Sequence, residues 1–159
     1  MPTLPERALH AAQCANILLE RYLAPLADLA ARLYLAQVFF RAGLSKLQDW
    51  DTTLFLFSEE YRVPLLPSPL AAVAGTAGEL IFPTLLALGL FGRLGALGLF
   101  LVNIMAVVSY WHVLGTPEQA AGLTHHLVWG LLLAMLATHG AGKWSIDTLL
   151  QRRFKAWPV

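Results

Sequence analysis

Four long apolar stretches, separated by short polar segments, dominate the pattern of hydrophobic and polar positions along this chain. They lie at about residues 26–47, 70–91, 94–112 and 123–140. A helix needs roughly 20 mainly apolar residues to cross the hydrocarbon core of a bilayer. The pattern therefore predicts an all-α membrane protein, in which residues 25–159 form one domain with four transmembrane helices in an antiparallel bundle.

Two shorter amphipathic segments flank the predicted bundle. Residues 1–24 carry apolar side chains at helical spacing, and Pro25 suits the first turn of the following helix. They predict an N-terminal amphipathic helix at the membrane surface; the alternative is a short soluble helix. Near the C-terminus, Ser145 is a suitable N-cap for a second short helix, whose polar side carries Arg152 and Arg153.

The segments between the predicted spans indicate how the spans are connected. Residues 48–68 are rich in acids and prolines, and Leu54, Phe55 and Phe57 predict a short helix at the membrane interface. The pair Gly92-Arg93 is short enough to force an antiparallel helical hairpin between the second and third spans.

Glu79 lies near the middle of the second span, where a carboxylate costs roughly 2.5–3.5 kcal/mol unless a partner receives it. It lies about nine residues, or roughly 13 Å, from the end of its helix. Arg41 lies about six residues, or roughly 9 Å, from the adjacent end of the first span. These similar depths predict a buried Arg41–Glu79 ion pair.

Other polar and aromatic side chains belong to the same end of the predicted bundle. They are Lys46, Asn103, Tyr110, His112, His125, His126 and Trp129. Together with the ion pair they predict a polar cavity that opens outward. The alternative is that the pair only fixes helix register, while the histidines face lipid headgroups.

Two kinds of ligand would suit such a cavity. A quinone headgroup needs a hydrogen-bond donor, a carboxylate or histidine, and an aromatic wall. A copper or zinc ion needs two or three converging histidines, but the adjacent His125 and His126 point about 100° apart on a helix. One of them must miss a shared metal, so the metal hypothesis is the less favoured of the two.

Composition and charge narrow the class of protein further. The chain has 159 residues, of which 57% are hydrophobic and only 13% charged, against roughly 25% charged in soluble domains. No basic run suits nucleic acid, and the N-terminus does not resemble a cleaved signal peptide. A single cysteine, Cys14, excludes an internal disulfide and a CxxC pair.

Charge asymmetry predicts the orientation of the bundle. The basic residues on the side of both termini are Arg7, Arg21, Arg93, Lys143, Arg152, Arg153 and Lys155. The opposite side holds mainly the acids Asp49, Asp51, Glu59, Glu60 and Glu118. The positive-inside rule then places both termini in the cytoplasm.

Three segments of the chain resemble the DoxX family of small bacterial membrane proteins. They read FFRAGLSKLQDW at Phe39–Trp50, GELIFPTLLALGLFGRLGALGL at Gly78–Leu99 and HGAGKWSID at His139–Asp147. The resemblance implies a four-helix inner-membrane protein, and relatives include a subunit of an archaeal thiosulfate:quinone oxidoreductase and members of oxidative-stress complexes. The recurrent polar positions of the family fall here on Lys46, Glu79, Arg93 and Asp147.

The leading hypothesis is an accessory or quinone-interacting subunit of a redox or stress-response system. The alternative is a non-catalytic membrane partner, or a protein that handles small solutes or metals such as copper under stress. The expected partners are the lipid bilayer and a membrane or membrane-associated protein, and a homo-oligomer is compatible with the small residues at helix-packing spacing.

Overall fold

The computed structural model describes residues 4–154 and 157 of the chain, and Lys155 lies outside the described residues. Within them, four helical segments are long and apolar enough to cross a membrane. These are Leu9–Gln48, Ser68–Leu88, Gly92–Ser109 and Pro117–His139. The all-α fold with four candidate transmembrane helices, predicted from the apolar stretches, is confirmed.

The helices follow one another as a simple antiparallel bundle. They are α1 (Leu4–Leu18), α2 (Ala24–Gln48), α3 (Trp50–Glu59), α4 (Ser68–Leu88), α5 (Gly92–Ser109), α6 (Trp111–Leu114), α7 (Ala120–His139) and α8 (Ile146–Arg153). The largest contacts join α2 with α4, α4 with α5, and α5 with α7. We call the end of the bundle near α3 the α3 end, and the opposite end, near α8, the α8 end.

An apolar core lies between the four long helices, and the outside of the bundle is apolar as well. The core side chains are Leu35, Phe39, Leu86, Leu99, Leu133 and Leu136. Large apolar side chains such as Leu127 and Leu131 are exposed on the outer surface. An apolar exterior is the surface that a bilayer requires, because lipid tails are as apolar as the core.

The N-terminal helix predicted for residues 1–24 is present as α1, and it continues into α2 without a break. A π-helical segment, Leu19–Leu23, joins them, and the N–H of Ala24 donates to the carbonyl of Leu19. In that pattern the next donor would be Pro25, which has no N–H. Lys143 supplies the missing donor, because its Nζ lies 3.0 Å from the carbonyl oxygen of Glu20.

The hairpin between α4 and α5 is confirmed, but its turn lies three residues before the predicted Gly92-Arg93 pair. Helix α4 ends at Leu88, and Gly89 adopts a left-handed conformation with a φ of 63°. The N–H of Leu90 then donates to the carbonyl of Leu85 at 3.0 Å, which closes the helix end. Gly92 and Arg93 instead form the first turn of α5.

Arg32 connects three parts of the bundle at the α8 end. Its side chain is 1% exposed. The guanidinium donates to the carbonyls of Leu86 and Ala87 at 3.0 and 2.9 Å, and to those of Ala141 and Trp144 after α7. A cation at the C-terminal end of α4 is favourable, since the last carbonyls of a helix carry partial negative charge.

Asp147 occupies the complementary position at the start of α5. Its carboxylate accepts hydrogen bonds from the N–H groups of Phe91 and Gly92 at 2.9 and 2.8 Å, and from Trp157 Nε1 at 3.1 Å. The predicted C-terminal helix is confirmed as α8, with Ser145 as its N-cap. Its first turn therefore carries the acid that satisfies the free N–H groups of α5.

We predict that Arg32→Met destabilises the protein by roughly 3–5 kcal/mol, because it leaves several buried carbonyls without a donor. Arg32→Lys should recover only part of this loss, since an ammonium has three donors and no planar fork. Arg41→Met, on the exposed side of the same helix, is the matched control and should have little effect. Unfolding in detergent measures all three; equal losses for Arg32→Met and Arg41→Met would contradict the role of Arg32.

Candidate functional site

A cavity of about 430 Å³ lies in the half of the bundle near the α3 end, between α4, α5 and the segment that carries α3. Its walls are mainly apolar and include Phe57, Phe82, Leu101, Val102 and Met105. Its polar lining consists of Lys46, Tyr61, Glu79, Ser109, Tyr110 and His126. Binding sites for small molecules have this character, with an apolar body and a few convergent polar groups.

Lys46 and Glu79 form an ion pair in the wall of the cavity. Lys46 Nζ lies 2.6 Å from Glu79 Oε2, and the side chains are 20% and 12% exposed. Gly43 brings the two helices close enough for this contact, because a Cβ atom there would lie 3.1 Å from the backbone of Glu79. Each charge is received by the other, as a charge at membrane depth requires.

The predicted Arg41–Glu79 pair is wrong. Arg41 is exposed on the outside of the bundle, and Glu79 pairs with Lys46 instead. Arg41 lies two positions from the buried residues Phe39 and Gly43, so its side chain points about 200° away from theirs. The similar depths of Arg41 and Glu79 in the membrane are compatible with a pair. Arg41, however, lies on the face of α2 opposite to Phe39 and Gly43, and this excludes the contact.

Asn103 fixes the position of His126. The amide Nδ2 of Asn103 donates to the carbonyl of His126 at 2.9 Å, and its Oδ1 lies 2.8 Å from His126 Nδ1. Asn103 is 4% exposed and joins α5 to α7. It does not line the cavity as predicted, but it orients a side chain that does.

The remaining predicted residues lie outside the cavity lining. The exposed ring of His125 stacks on Trp129, with centroids 5.8 Å apart, and Trp129 also packs against Phe39 at 5.7 Å. His112 is exposed beside Tyr110. The ring of His126 also contacts Trp129, edge to face with centroids 5.0 Å apart, so Trp129 lies against both histidines.

The segment after α3 forms the rim of the cavity at the α3 end. The rings of Tyr61 and Tyr110 meet edge to face at 5.4 Å, and the N–H of Arg62 donates to the carbonyl of Ser109 at 2.9 Å. The hydroxyl of Tyr110 donates to Glu60 at 2.5 Å, and this hydrogen bond raises the pKa of Tyr110. The rim thus attaches the α3 segment to the end of α5.

Helix α3 is held by a cap at its own start. The carboxylate of Asp49 accepts a hydrogen bond from the N–H of Thr52 at 3.0 Å, which lowers the pKa of Asp49. The helix then buries Phe57, whose ring reaches the cavity wall. The cap therefore fixes the point from which α3 turns back over α4.

Comparison with known proteins assigns the chain to a family. The DoxX family model matches residues 27–112, slightly more than half of the chain. The chain belongs to the DoxX family. An uncharacterized protein of Haemophilus influenzae is 33% identical over 135 residues, which cover 81% of this chain and 87% of the relative. No solved structure matches the chain.

The four polar positions to which the family resemblance points lie in two separate parts of this DoxX-family protein. Lys46 and Glu79 form the ion pair of the cavity, whereas Asp147 caps α5 at the opposite end. Arg93 lies beside Gly140 at the α8 end. The recurrent positions therefore divide between one cavity and one structural junction.

Tyr61, Ser109 and Phe82 line the cavity and were missed by reasoning from the sequence. Tyr61 lies in a connecting segment whose path over the bundle no periodic pattern reveals. Ser109 and Phe82 look like ordinary span residues, since their position on the cavity depends on how α4 and α5 are rotated. A sequence feature that pointed to Tyr61 was the neighbouring acid Glu60, in a segment expected at the membrane interface.

We predict that Lys46→Met destabilises this DoxX-family protein by roughly 3–5 kcal/mol, because it leaves the Glu79 carboxylate without its partner. Adding Glu79→Gln should recover much of the loss, since a neutral amide costs less at membrane depth. By the same reasoning, Glu79→Ala should destabilise more than Glu79→Gln, because an amide can still accept from Lys46. Unfolding in detergent measures the series; additive effects in the double variant would contradict the ion pair.

The Tyr110–Glu60 hydrogen bond gives a pH-dependent prediction. Because the pKa of Tyr110 is raised in the folded protein, the bond stabilises fully below the ordinary tyrosine pKa of about 10 and is lost as pH rises through the raised value. Tyr110→Phe should cost roughly 0.5–1.5 kcal/mol at neutral pH, and this difference should shrink in strong alkali. Tyr22→Phe, on the exposed π-helical segment, is the control; a difference independent of pH would refute the assignment.

Proposed function

We propose that this DoxX-family membrane protein binds a quinone in the cavity beside Lys46 and Glu79. In this proposal it acts as an accessory subunit of a redox or stress-response system in the bacterial inner membrane. The observation that carries the proposal is a mainly apolar cavity whose few polar groups are an ion pair and an oriented histidine. A quinone has the matching character, with an apolar ring and tail and two polar oxygens.

The dimensions and chemistry of the cavity suit such a ligand. Its volume of about 430 Å³ falls in the usual range of roughly 300–1,000 Å³ for small-molecule sites. Phe57 and Phe82 provide aromatic walls for the ring, and Lys46 has two further N–H donors beyond the one facing Glu79. A carbonyl oxygen of the ligand can accept from one of them.

The accessory role follows from the residues available for electron transfer. The chain has one cysteine, so it has no thiol pair that could pass electrons to a bound quinone. Among residues 4–154 and 157, no group of three or more histidine, cysteine, aspartate or glutamate side chains could hold a metal. In this proposal a partner protein supplies or accepts the electrons.

The charge distribution supports the proposed orientation. The α8 end carries the basic residues Arg93, Lys143, Arg152 and Arg153, while the α3 end carries Asp49, Asp51, Glu59, Glu60 and Glu118. Cytoplasmic loops are enriched in lysine and arginine. We therefore propose that both termini are cytoplasmic and that the cavity opens towards the outer leaflet.

The test measures quinone binding to the detergent-purified protein. A benzoquinone with a decyl chain should raise the thermal midpoint, and a concentration of 100 times Kd should stabilise by about 2.7 kcal/mol. Ala106→Phe, which fills the cavity, should abolish this shift. Ala121→Phe, on the exposed side of α7, is the matched control and should retain it. Absence of co-purified quinone together with no shift in the wild type would overturn the proposal.

A further inference from the structure

We propose that the cavity selects the hydroxylated, reduced form of its ligand, the hydroquinone, over the quinone. The inference rests on the proposed function and adds the chemical form of the ligand. Its basis is the contact between Asn103 and His126, which determines which nitrogen of the histidine ring carries a proton. A histidine that can only accept at its free nitrogen favours a ligand that donates.

The hydrogen bonds around Asn103 fix the orientation of its amide. The group within 2.9 Å of the His126 carbonyl must be the NH₂, because two carbonyl oxygens would repel each other. The amide oxygen is then the atom that lies 2.8 Å from His126 Nδ1. An oxygen accepts, so Nδ1 carries the proton that it donates.

This assignment fixes the chemistry of the other ring nitrogen. In a neutral imidazole with its proton on Nδ1, Nε2 has a lone pair and can only accept a hydrogen bond. His126 lines the cavity, and its Nδ1 is occupied by Asn103. In this proposal Nε2 is the ring atom that faces the ligand, so the histidine offers the ligand an acceptor.

The two charged side chains of the cavity, Glu79 and Lys46, also favour a ligand group that can both donate and accept a hydrogen bond. Glu79 is an acceptor, and Lys46 is a donor already shared with Glu79. A phenolic hydroxyl can donate to His126 Nε2 or to Glu79 while its oxygen accepts from Lys46. A quinone carbonyl can only accept, so it satisfies Lys46 and leaves Nε2 facing a second lone pair.

Leaving a polar group unpaired in an apolar site weakens binding. A site built to bond a hydroxyl rejects an analogue that lacks it, because the polar group of the site is then left without a partner. We expect the hydroquinone to bind at least about tenfold more tightly than the quinone, the lower part of the range for one unsatisfied hydrogen bond.

Asn103 is in this view a positioning residue, and the packing around it supports that role. It lies between α5 and α7, and Gly130 leaves room for its amide, since a Cβ atom there would lie 3.3 Å from Nδ2. Its two hydrogen bonds go to the ring and to the backbone carbonyl of one residue, His126. The ring orientation therefore depends on Asn103 more than on any other described hydrogen bond.

The first experiment uses the wild-type protein and two redox-inert probes. 4-Decylphenol and 4-decylanisole share the ring and the decyl chain and differ only in O–H against O–CH₃, so only the phenol donates a hydrogen bond. Calorimetric titration in detergent should give at least about tenfold tighter binding for the phenol. The same titration with the decyl benzoquinone and its hydroquinone, under anaerobic conditions, should show the same order. Equal affinities, or tighter binding of the anisole or quinone, would overturn the inference.

A pair of adjacent histidines provides the matched variants. His126→Phe should remove most of the preference for the phenol, whereas His125→Phe should retain it, because His125 is exposed and stacks on Trp129. Loss of the preference in both variants, or in neither, would contradict the role of His126. Thermal midpoints confirm that each variant is folded before its affinities are compared.

The tautomer itself can be measured without a ligand. The ¹⁵N chemical shifts of labelled His126 should show a protonated Nδ1 and an unprotonated Nε2 in the wild type. Asn103→Leu should change this pattern towards a mixture of tautomers and reduce the preference for the phenol. A protonated Nε2 in the wild type would refute the inference even if both probes bind. Failure of all four probes to bind would instead contradict the proposed function.

Discussion

The burial of Arg32 is the constraint on which the rest of the structure depends. A guanidinium that is 1% exposed at the α8 end must place its donors on acceptors, and it finds them at the end of α4 and in the segment after α7. This requirement fixes the distance from α2 to α4 and the path of the chain into α8. Asp147 then lies where it caps α5, so the ends of four helices are determined together.

At the α3 end, a charged side chain inside the bundle is paired with one other side chain and not with backbone carbonyls. There the partly buried carboxylate of Glu79 is received by one lysine across the close α2–α4 contact, and a cavity lies beside the pair. At the α8 end all four observed hydrogen bonds of Arg32 go to backbone carbonyls, whereas Lys46 has N–H donors beyond the one that faces Glu79. This contrast makes one end a structural junction and the other a candidate binding site.

Most of the residues that line the cavity lie in the part of the chain that the DoxX family model matches. The family model covers residues 27–112, which include the ion pair, the walls from α4 and α5, and the rim at Tyr110. His126 lies outside that range, on α7, and Asn103 on α5 bonds both its ring and its backbone carbonyl. The chemistry proposed for the site therefore depends on both the matched region and the helix that follows it.

The sequence by itself determined the class of structure, because long apolar stretches and short polar connections leave a membrane-spanning chain few alternatives. It also identified most of the polar residues of the cavity, including Lys46, Glu79, Tyr110 and His126. Only the tertiary structure decided that Glu79 pairs with Lys46 and not with Arg41, since the rotation of each helix about its axis determines which neighbours meet. The inward direction of Arg32 and the return of Tyr61 over the bundle depend on the same packing, for which a single periodic pattern carries no signal.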